Sequence, residues 1–480
     1  MHDSHLRTAL VLFGVLVLSV IILLMRPGSL ANPVTLGTLI VGQIVVASVC
    51  KYRQSFFLLL MVAFLWAGLD VPLSVAWLEG RWIVLGVGAL AGLAIFLRGR
   101  DHHFGSIHLV ALFCVLSAAV SASVSGYPQE ALLKSFSLFL LFSYGAMGAR
   151  LAVPMHDQGK FFDKLLLACE VVAYVGALGY FLFQYPFFGN PNSLGAVMGV
   201  VVVPTIFWGL LRAENVRARW RLAFELCLAT ALLMTSFSRA GIAAAAVSCV
   251  WIAVAVRRYG LIMTAVAVSL VIAILTPRFA PRDQDQDFLG DAEQESVASL
   301  FLYKGKPSQG LLGSRKGPWE QTLSSIKAHP WFGCGFGTSV SDRSAAYFEL
   351  TRSQFIDSRM IREHGNSYLA ILEWSGLLGV APFYFLVAVT AWKAKAAIAS
   401  LRRTGNVFSP AVPAAAIVIA GLVGAAFEDW LFAVGYYLCV FFWAMAFILA
   451  DLVAAGPDTA RAQNVAFVAS PELAASAAGD

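Results

Sequence analysis

Long apolar runs alternate with short polar connections along most of the 480-residue chain. A run of about 20 apolar residues is long enough to cross the hydrocarbon core of a bilayer as a helix. Every backbone donor and acceptor in hydrocarbon must find its partner within the protein, which makes these runs helical. The pattern therefore predicts an all-α, polytopic integral membrane protein with about 12–14 transmembrane helices.

Fourteen runs qualify as predicted spans. They are 8–25, 33–50, 55–78, 82–97, 106–123, 131–149, 165–183, 192–211, 221–237, 240–256, 260–275, 367–391, 409–426 and 431–451. The first run ends at Arg26-Pro27-Gly28, which lacks the small-x-small pattern of a signal-peptide cleavage site. We therefore interpret it as a retained span.

Composition supports the same class of protein. Hydrophobic residues make up 59% of the chain and charged residues 13%, whereas soluble domains carry about 25% charged residues. The net charge of +6 comes from short basic clusters between apolar runs. Such clusters are typical of topology signals and not of a nucleic-acid-binding stripe, so no nucleic-acid partner is expected.

The distribution of Lys and Arg predicts the orientation. With the N-terminus inside, the inner connections and tails carry 19 of these residues and the short outer connections carry four. The other 11 lie in one long polar segment, 277–365, between the eleventh and twelfth spans. Because short positively charged loops stay in the cytoplasm, this segment is predicted to be a periplasmic loop.

The organisation that follows has four parts. Residues 1–185 form an N-terminal transmembrane bundle, and 186–395 form a second domain that includes the periplasmic loop. Residues 396–455 supply the C-terminal transmembrane helices, and 456–480 are a disordered cytoplasmic tail rich in Ala and Ser.

Ionisable residues inside spans or at their ends are functional candidates, because burying charge in a membrane is costly. They are Asp70, Lys134, Glu170, Glu225, Glu373, Glu428 and Asp429. The spacing Asp283-x-Asp285-x-Asp287 begins like a calcium loop, but Phe288 stands at the required glycine and Gln294 at the terminal glutamate. We therefore expect no metal site.

The strongest local motif begins at Glu363 and reads Glu-His-Gly-Asn-Ser-Tyr-Leu, followed by Gly-Leu-Leu-Gly from Gly376. Upstream, Ser314-Arg315 and Trp319 precede His-Pro-Trp-Phe-Gly-Cys-Gly-Phe-Gly from His329, and Ser238-Arg239 opens the tenth span. In this order the motifs resemble the bacterial O-antigen ligase and O-antigen polymerase family of lipid-linked polysaccharide enzymes, over roughly residues 190–380.

The resemblance implies a glycosyltransferase of the bacterial inner membrane that needs no metal or other cofactor. Its donor would be a glycan on undecaprenyl diphosphate, and its acceptor a glycan, lipid A core or a protein hydroxyl. It implies inverting transfer, with Arg239 and Arg315 on the diphosphate and His364 at the acceptor. Glu363, Asn366, Tyr368 and Glu428 are the candidate substrate-binding residues.

Residue chemistry is consistent with these roles. A diphosphate needs fixed positive charge and several donors, which the Arg fork supplies. An unperturbed imidazole titrates near ~6.5 and can accept a proton. Simpler interpretations remain open, since Arg239 can snorkel at a helix start, Arg315 can be a solvated charge and His364 can be structural. We expect Glu363 to orient His364 or to serve as the base itself. The pair Glu428-Asp429 is predicted to lie on the outer face, where it is expected to bind sugar hydroxyls or to neutralise an arginine.

A second class of function is a transporter or flippase of lipid-linked saccharides. Many spans and scattered membrane carboxylates suit it, but internal repeats with interrupted helices would be expected, and no convincing repeat is found in the sequence.

The predicted orientation can be tested by cysteine labelling. A cysteine introduced beside Arg402 should stay unlabelled by a membrane-impermeant thiol reagent in cells stripped of their outer barrier. A cysteine at Gln284, in the long segment, should be labelled under the same conditions. Labelling beside Arg402 would overturn the orientation.

Overall fold

The structure, a computed structural model, describes residues 105–148, 158–183, 191–279, 313–338 and 364–454, with seven residues between Trp82 and Leu93. The predicted spans at 8–25, 33–50 and 55–78, the candidate residues Asp70 and Glu363, the Asp283–Asp287 loop and the tail 456–480 lie outside the described residues.

Every regular element within these ranges is a helix. The helices are α1 Ser106–Ser123, α2 Pro128–Ser143, α3 Gln158–Ala177, α4 Pro191–Val197, α5 Val203–Arg212, α6 Val216–Thr235, α7 Arg239–Ala255, α8 Tyr259–Phe279, α9 Gly313–Ala328, α10 Ser367–Gly379, α11 Ala381–Thr404, α12 Ala411–Ala425 and α13 Tyr437–Ala454. Short π-helical stretches follow α2 and α3, and a third, Met198–Val202, joins α4 to α5.

The predicted helical membrane architecture is confirmed at this coarse level. Four described helices are long and apolar enough to cross a membrane: Ser106–Ser123, Gln158–Leu182, Asn192–Arg212 and Ala381–Thr404. Shorter apolar helices lie at Arg239–Ala255, Tyr259–Val268, Ala411–Ala425 and Leu438–Ala454. The number of spans and the position of the long loop remain predictions.

The core is centred on α12, which packs against α7, α11 and α13. Its Ala, Val and Ile side chains from Val412 to Ala420 are all buried. By contrast, α1 and α3 expose large apolar side chains such as Leu109, Phe113 and Leu167. Exposed apolar surface of this kind is what a helix facing lipid requires.

The predicted span 367–391 is not one continuous helix. It divides into α10 and α11, and the chain inside α10 leaves helical geometry at Gly376, where φ is 65° and ψ is −178°. The amides of Leu377 and Leu378 donate to the carbonyl oxygens of Pro330 and Trp331, at 2.8 and 3.1 Å. The break therefore joins α10 to the loop after α9 by backbone hydrogen bonds.

Glycines allow α4, with the π-helical stretch Met198–Val202 that follows it, to touch α7 backbone to backbone. A Cβ added at Gly199 would lie 2.2 Å from the carbonyl oxygen of Gly241, and one at Gly241 would lie 2.2 Å from that of Gly195. Small residues that permit such close approach are a common means of packing helices in membranes. Because α7 begins at Arg239, this contact fixes the position of that arginine.

The direction of the helices separates two ends of the molecule. Arg212, Arg257 and Arg402 lie at or just beyond the ends of α5, α7 and α11. Arg239 and Ser367 start α7 and α10 at the opposite end, to which α12 returns before Glu428. The basic connections and the candidate site residues are therefore at opposite ends of the helices.

The α4–α7 contact predicts that Gly199→Ala is destabilising. Its methyl group overlaps the Gly241 carbonyl, and overpacking of this kind costs about 1–3 kcal/mol, so the thermal unfolding temperature in detergent should fall. Gly260→Ala is the matched control, because a Cβ there meets nothing within 4 Å. Equal unfolding temperatures for the two variants would contradict the close contact.

Candidate functional site

Four parts of the chain meet at one end of the helices: the starts of α7 and α10, the first turn of α9, and the loop between α12 and α13. They carry Arg239, His364, Arg315 and the pair Glu428-Asp429, respectively. The sequence predicted the first three positions and Glu428 as site residues. The structure brings His364 together with Asp429, and Arg315 together with Glu428.

His364 is held between two carboxylates. Its Nε2 lies 2.9 Å from Oε2 of Glu373, and its Nδ1 lies 3.1 Å from Oδ2 of Asp429. The same Asp429 oxygen accepts the backbone N–H of His364 at 2.8 Å. The imidazole and the Trp374 ring are nearly perpendicular, with ring centroids 5.4 Å apart. Only 2% of the His364 side chain is exposed, and none of Glu373.

The residues after His364 hold its backbone in place through a helix cap and a hydrogen bond to the loop between α12 and α13. Gly365 has φ of 63°, a left-handed conformation that glycine adopts without steric cost. Asn366 caps α10, its side-chain oxygen accepting the amides of Tyr368 and Leu369 at 2.8 and 3.1 Å. Ser367 then donates from Oγ to the carbonyl of Glu428 at 2.6 Å. The histidine segment is thus joined to the loop that carries Asp429.

Arg315 reaches the same loop from α9. Its guanidinium lies 2.5 Å from Oε1 of Glu428, and the two side chains are only 14% and 12% exposed. The side chain also lies over Gly365, where an added Cβ would come within 2.9 Å of the guanidinium. Trp319, one turn further along α9, donates from Nε1 to the Gly365 carbonyl at 3.3 Å. Arg315 therefore lies directly beside the His364 segment.

Arg239 is the second arginine at this end. Ser238 caps α7, its hydroxyl accepting the amide of Gly241 at 3.3 Å, which places Arg239 in the first turn. Arg239 lies near enough to Arg315 for the two positive charges to repel each other. Two neighbouring guanidinium groups at a helix start form an environment that favours a multiply charged anion.

A glycine-rich loop, residues 333–337, holds the backbone of α10 beside the site. The amides of Cys334 and Gly335 donate to the carbonyls of Glu373 and Trp374, at 2.9 and 3.2 Å. An added Cβ at Gly333 would lie 2.5 Å from the Glu373 carbonyl oxygen, and the glycine has φ of 73°. Ser121 of α1 donates to the Trp374 carbonyl at 2.5 Å. These bonds fix the backbone from which Glu373 points to His364.

The carboxylates set the charge of the histidine. Burial alone would lower the pKa of His364, but the hydrogen bonds to Asp429 and Glu373 outweigh it and raise the pKa above 6.5. Burial tends to raise the pKa of Asp429, and the bonds from His364 outweigh it and hold the pKa below 3.8. The two shifts have the same physical cause, because each hydrogen bond favours a protonated His364 beside an ionised Asp429.

Two predicted substrate-binding residues have structural contacts. The Asn366 oxygen forms the helix cap, and the Tyr368 hydroxyl donates to the Leu422 carbonyl of α12 at 2.8 Å. Substrate binding by either residue stays a prediction. Glu363, the remaining candidate, lies outside the described residues.

Glu373 is the partner of His364 that sequence reasoning missed, because its only signal was charge within an apolar run, which it shared with residues such as Glu170 and Glu225. Asp429 was expected, together with Glu428, to bind sugar hydroxyls or to neutralise an arginine, and not to contact His364. Within the described part of the chain, no group of three or more His, Cys, Asp or Glu residues has an arrangement that could hold a metal ion.

The fold and the site define a multi-pass helical membrane protein with a buried, charge-dense centre at one end of its helices. Residues 224–384 match the family model described as O-antigen ligase. The match confirms the resemblance to the O-antigen ligase family over these residues, and it indicates glycan transfer as the general class of activity. No curated protein matches the chain.

The His364 cluster predicts a specific dependence of stability on pH. The raised pKa of His364 means that its contribution is complete below about pH 6.5 and is lost as pH rises through the folded-state pKa. The lowered pKa of Asp429 means that its contribution is complete above about pH 3.8 and is lost only as pH falls through the folded-state pKa. Both contributions are therefore complete between these limits.

His364→Gln should lower the free energy of unfolding by about 1–3 kcal/mol in that window, because it removes charge-assisted hydrogen bonds. The gap in thermal unfolding temperature between parent and variant, measured in detergent, should narrow steadily from pH 6.5 to 9. A difference in unfolding temperature that widens over this range would contradict stabilisation of protonated His364 by the two carboxylates.

Proposed function

We propose that this protein transfers a glycan from undecaprenyl diphosphate to an acceptor hydroxyl at the periplasmic face of the bacterial inner membrane, as an O-antigen ligase or polysaccharide polymerase. The observation that carries the proposal is the meeting of two arginines with a buried His–carboxylate cluster at one end of the helices. The family match supports glycan transfer in general.

The arginines form the donor side. Cleavage of the sugar–phosphate bond leaves negative charge on the diphosphate, and preorganised guanidinium groups stabilise that charge as it develops. Arg315 is only 14% exposed, so its interaction with the diphosphate is weakly screened by water. Glu428 holds Arg315 when no donor is bound, and a diphosphate carries enough charge to compete with a single carboxylate.

The His364 cluster forms the acceptor side. Transfer with inversion requires that an acceptor hydroxyl lose its proton as its oxygen attacks the anomeric carbon. His364 lies within 3.1 Å of both Asp429 and Glu373, and all three are groups that can hold a proton. Asn366 and Tyr368 are proposed to line the acceptor side, beside their contacts with backbone groups. The arginines and the cluster together need no metal for this chemistry.

The positions of the basic connections indicate the side of the membrane on which the site lies. The helix ends opposite the site carry the basic connections, which the positive-inside rule assigns to the cytoplasm. The site would then open to the periplasm. Lipid A core, the end of another glycan and a protein hydroxyl all present an acceptor of the required chemistry.

Transfer by purified protein in lipid, with an undecaprenyl-diphosphate oligosaccharide as donor, tests the proposal. Arg315→Ala should lower the rate by about 10²–10³-fold, since it removes a group that stabilises developing charge, and Arg239→Ala should also weaken donor use strongly. His364→Ala should block transfer with donor binding largely kept. Lys316→Ala is the matched control, because its side chain is 77% exposed beside Arg315.

Product on lipid A core would identify a ligase, and ladders formed from donor alone would identify a polymerase. Transfer at the parental rate by all three variants would contradict the site. Histidine-independent movement of donor across the bilayer without any product would instead support a transporter.

A further inference from the structure

The geometry points to Asp429, and not His364, as the group that accepts the proton from the acceptor hydroxyl; His364 then acts as a positioning residue. This inference rests on the proposed glycan transfer and assigns one step of it.

Neither ring nitrogen of His364 is available to an acceptor. Nε2 faces the fully buried Glu373 and Nδ1 faces Asp429, at 2.9 and 3.1 Å. Trp374 packs nearly perpendicular to the ring, and 2% of the His364 side chain is exposed. A general base must come within hydrogen-bond reach of the proton that it removes. His364 meets that requirement only if one of the two carboxylates first leaves it.

Asp429 does meet the requirement. Its side chain is 24% exposed, against 2% for His364 and none for Glu373. Both bonds from His364, through the ring and through the backbone amide, fall on the single oxygen Oδ2. Asp429 is therefore the member of the cluster that a hydroxyl can approach, and its carboxylate is already oriented by two donors.

The position of Asp429 also suits the reaction. It follows Glu428 directly in the chain, and Glu428 contacts Arg315 of the donor side. A hydroxyl beside Asp429 thus lies on the border between the donor arginines and the His364 cluster. Carboxylates act as the base in inverting glycoside hydrolysis, where another oxygen nucleophile attacks an anomeric carbon.

The step balances in atoms and charge. The acceptor oxygen forms a bond to the anomeric carbon while the bond from that carbon to the phosphate oxygen breaks. Its electron pair leaves on the diphosphate, beside Arg239 and Arg315. The hydroxyl proton passes to the Asp429 carboxylate. His364, with Glu373 behind it, holds the carboxylate in place throughout.

Azide distinguishes the base from residues of the donor side, because it is a nucleophile with no proton to lose. Asp429→Ala and Asp429→Asn should each reduce transfer to a hydroxyl acceptor by about 10²–10⁴-fold, the usual contribution of a general base. Added sodium azide should restore donor consumption by Asp429→Ala, with a glycosyl azide as product. Arg315→Ala, with the same donor and azide, should form none.

His364→Gln keeps an amide N–H that can face Asp429 but cannot accept a proton. It should transfer to hydroxyl acceptors faster than Asp429→Asn by at least about tenfold. The assignment is overturned if Asp429→Asn transfers at the parental rate, if Asp429→Ala forms no more glycosyl azide than Arg315→Ala, or if azide restores His364→Ala alone. Absence of transfer by the parent with every donor and acceptor would refute the proposed function itself.

Discussion

The contact of His364 with Glu373 and Asp429, here called the His364 clamp, is the interaction on which the candidate site depends. An imidazole with 2% exposure is stable in charged form only because Glu373 and Asp429 contact its two nitrogens. Removing one partner of such a buried pair leaves a charge without its counterpart, which destabilises the fold. The three residues come from the segment before α10, from α10 itself and from the α12–α13 loop, so the clamp also joins these elements.

Backbone contacts make that clamp possible. The break at Gly376 frees the amides that follow it, and these donate to the carbonyl oxygens of Pro330 and Trp331. In the opposite direction, amides of the glycine-rich loop donate to the carbonyl oxygens of Glu373 and Trp374. Any side chain larger than hydrogen would push α10 and the glycine-rich loop apart, since a Cβ at Gly376 would lie 2.5 Å from the Gly333 nitrogen. The glycine-rich loop thus has a structural explanation: it brings α9, with Arg315, against α10.

Hydropathy and charge were sufficient to predict the helical membrane class, and helices such as α1 match their predicted spans. The same pattern missed the division between α10 and α11, because the apolar run continues through Gly376 and only tertiary hydrogen bonds favour the break. Motif order indicated the family, and it predicted Arg239, Arg315 and His364 as site residues. It did not identify Asp429 as a partner of His364, since that pairing joins positions 65 residues apart through folding. It also did not identify Glu373, whose only signal was a charge within an apolar run.

The structure of the protein with a non-cleavable phosphonate analogue of undecaprenyl diphosphate glycan, determined by cryo-electron microscopy in lipid, tests the central claim most directly. We expect the diphosphate between Arg239 and Arg315, with Glu428 displaced from Arg315 and the anomeric carbon facing Asp429. A diphosphate bound at the opposite helix ends, among basic residues such as Arg212 and Arg221, would contradict the account.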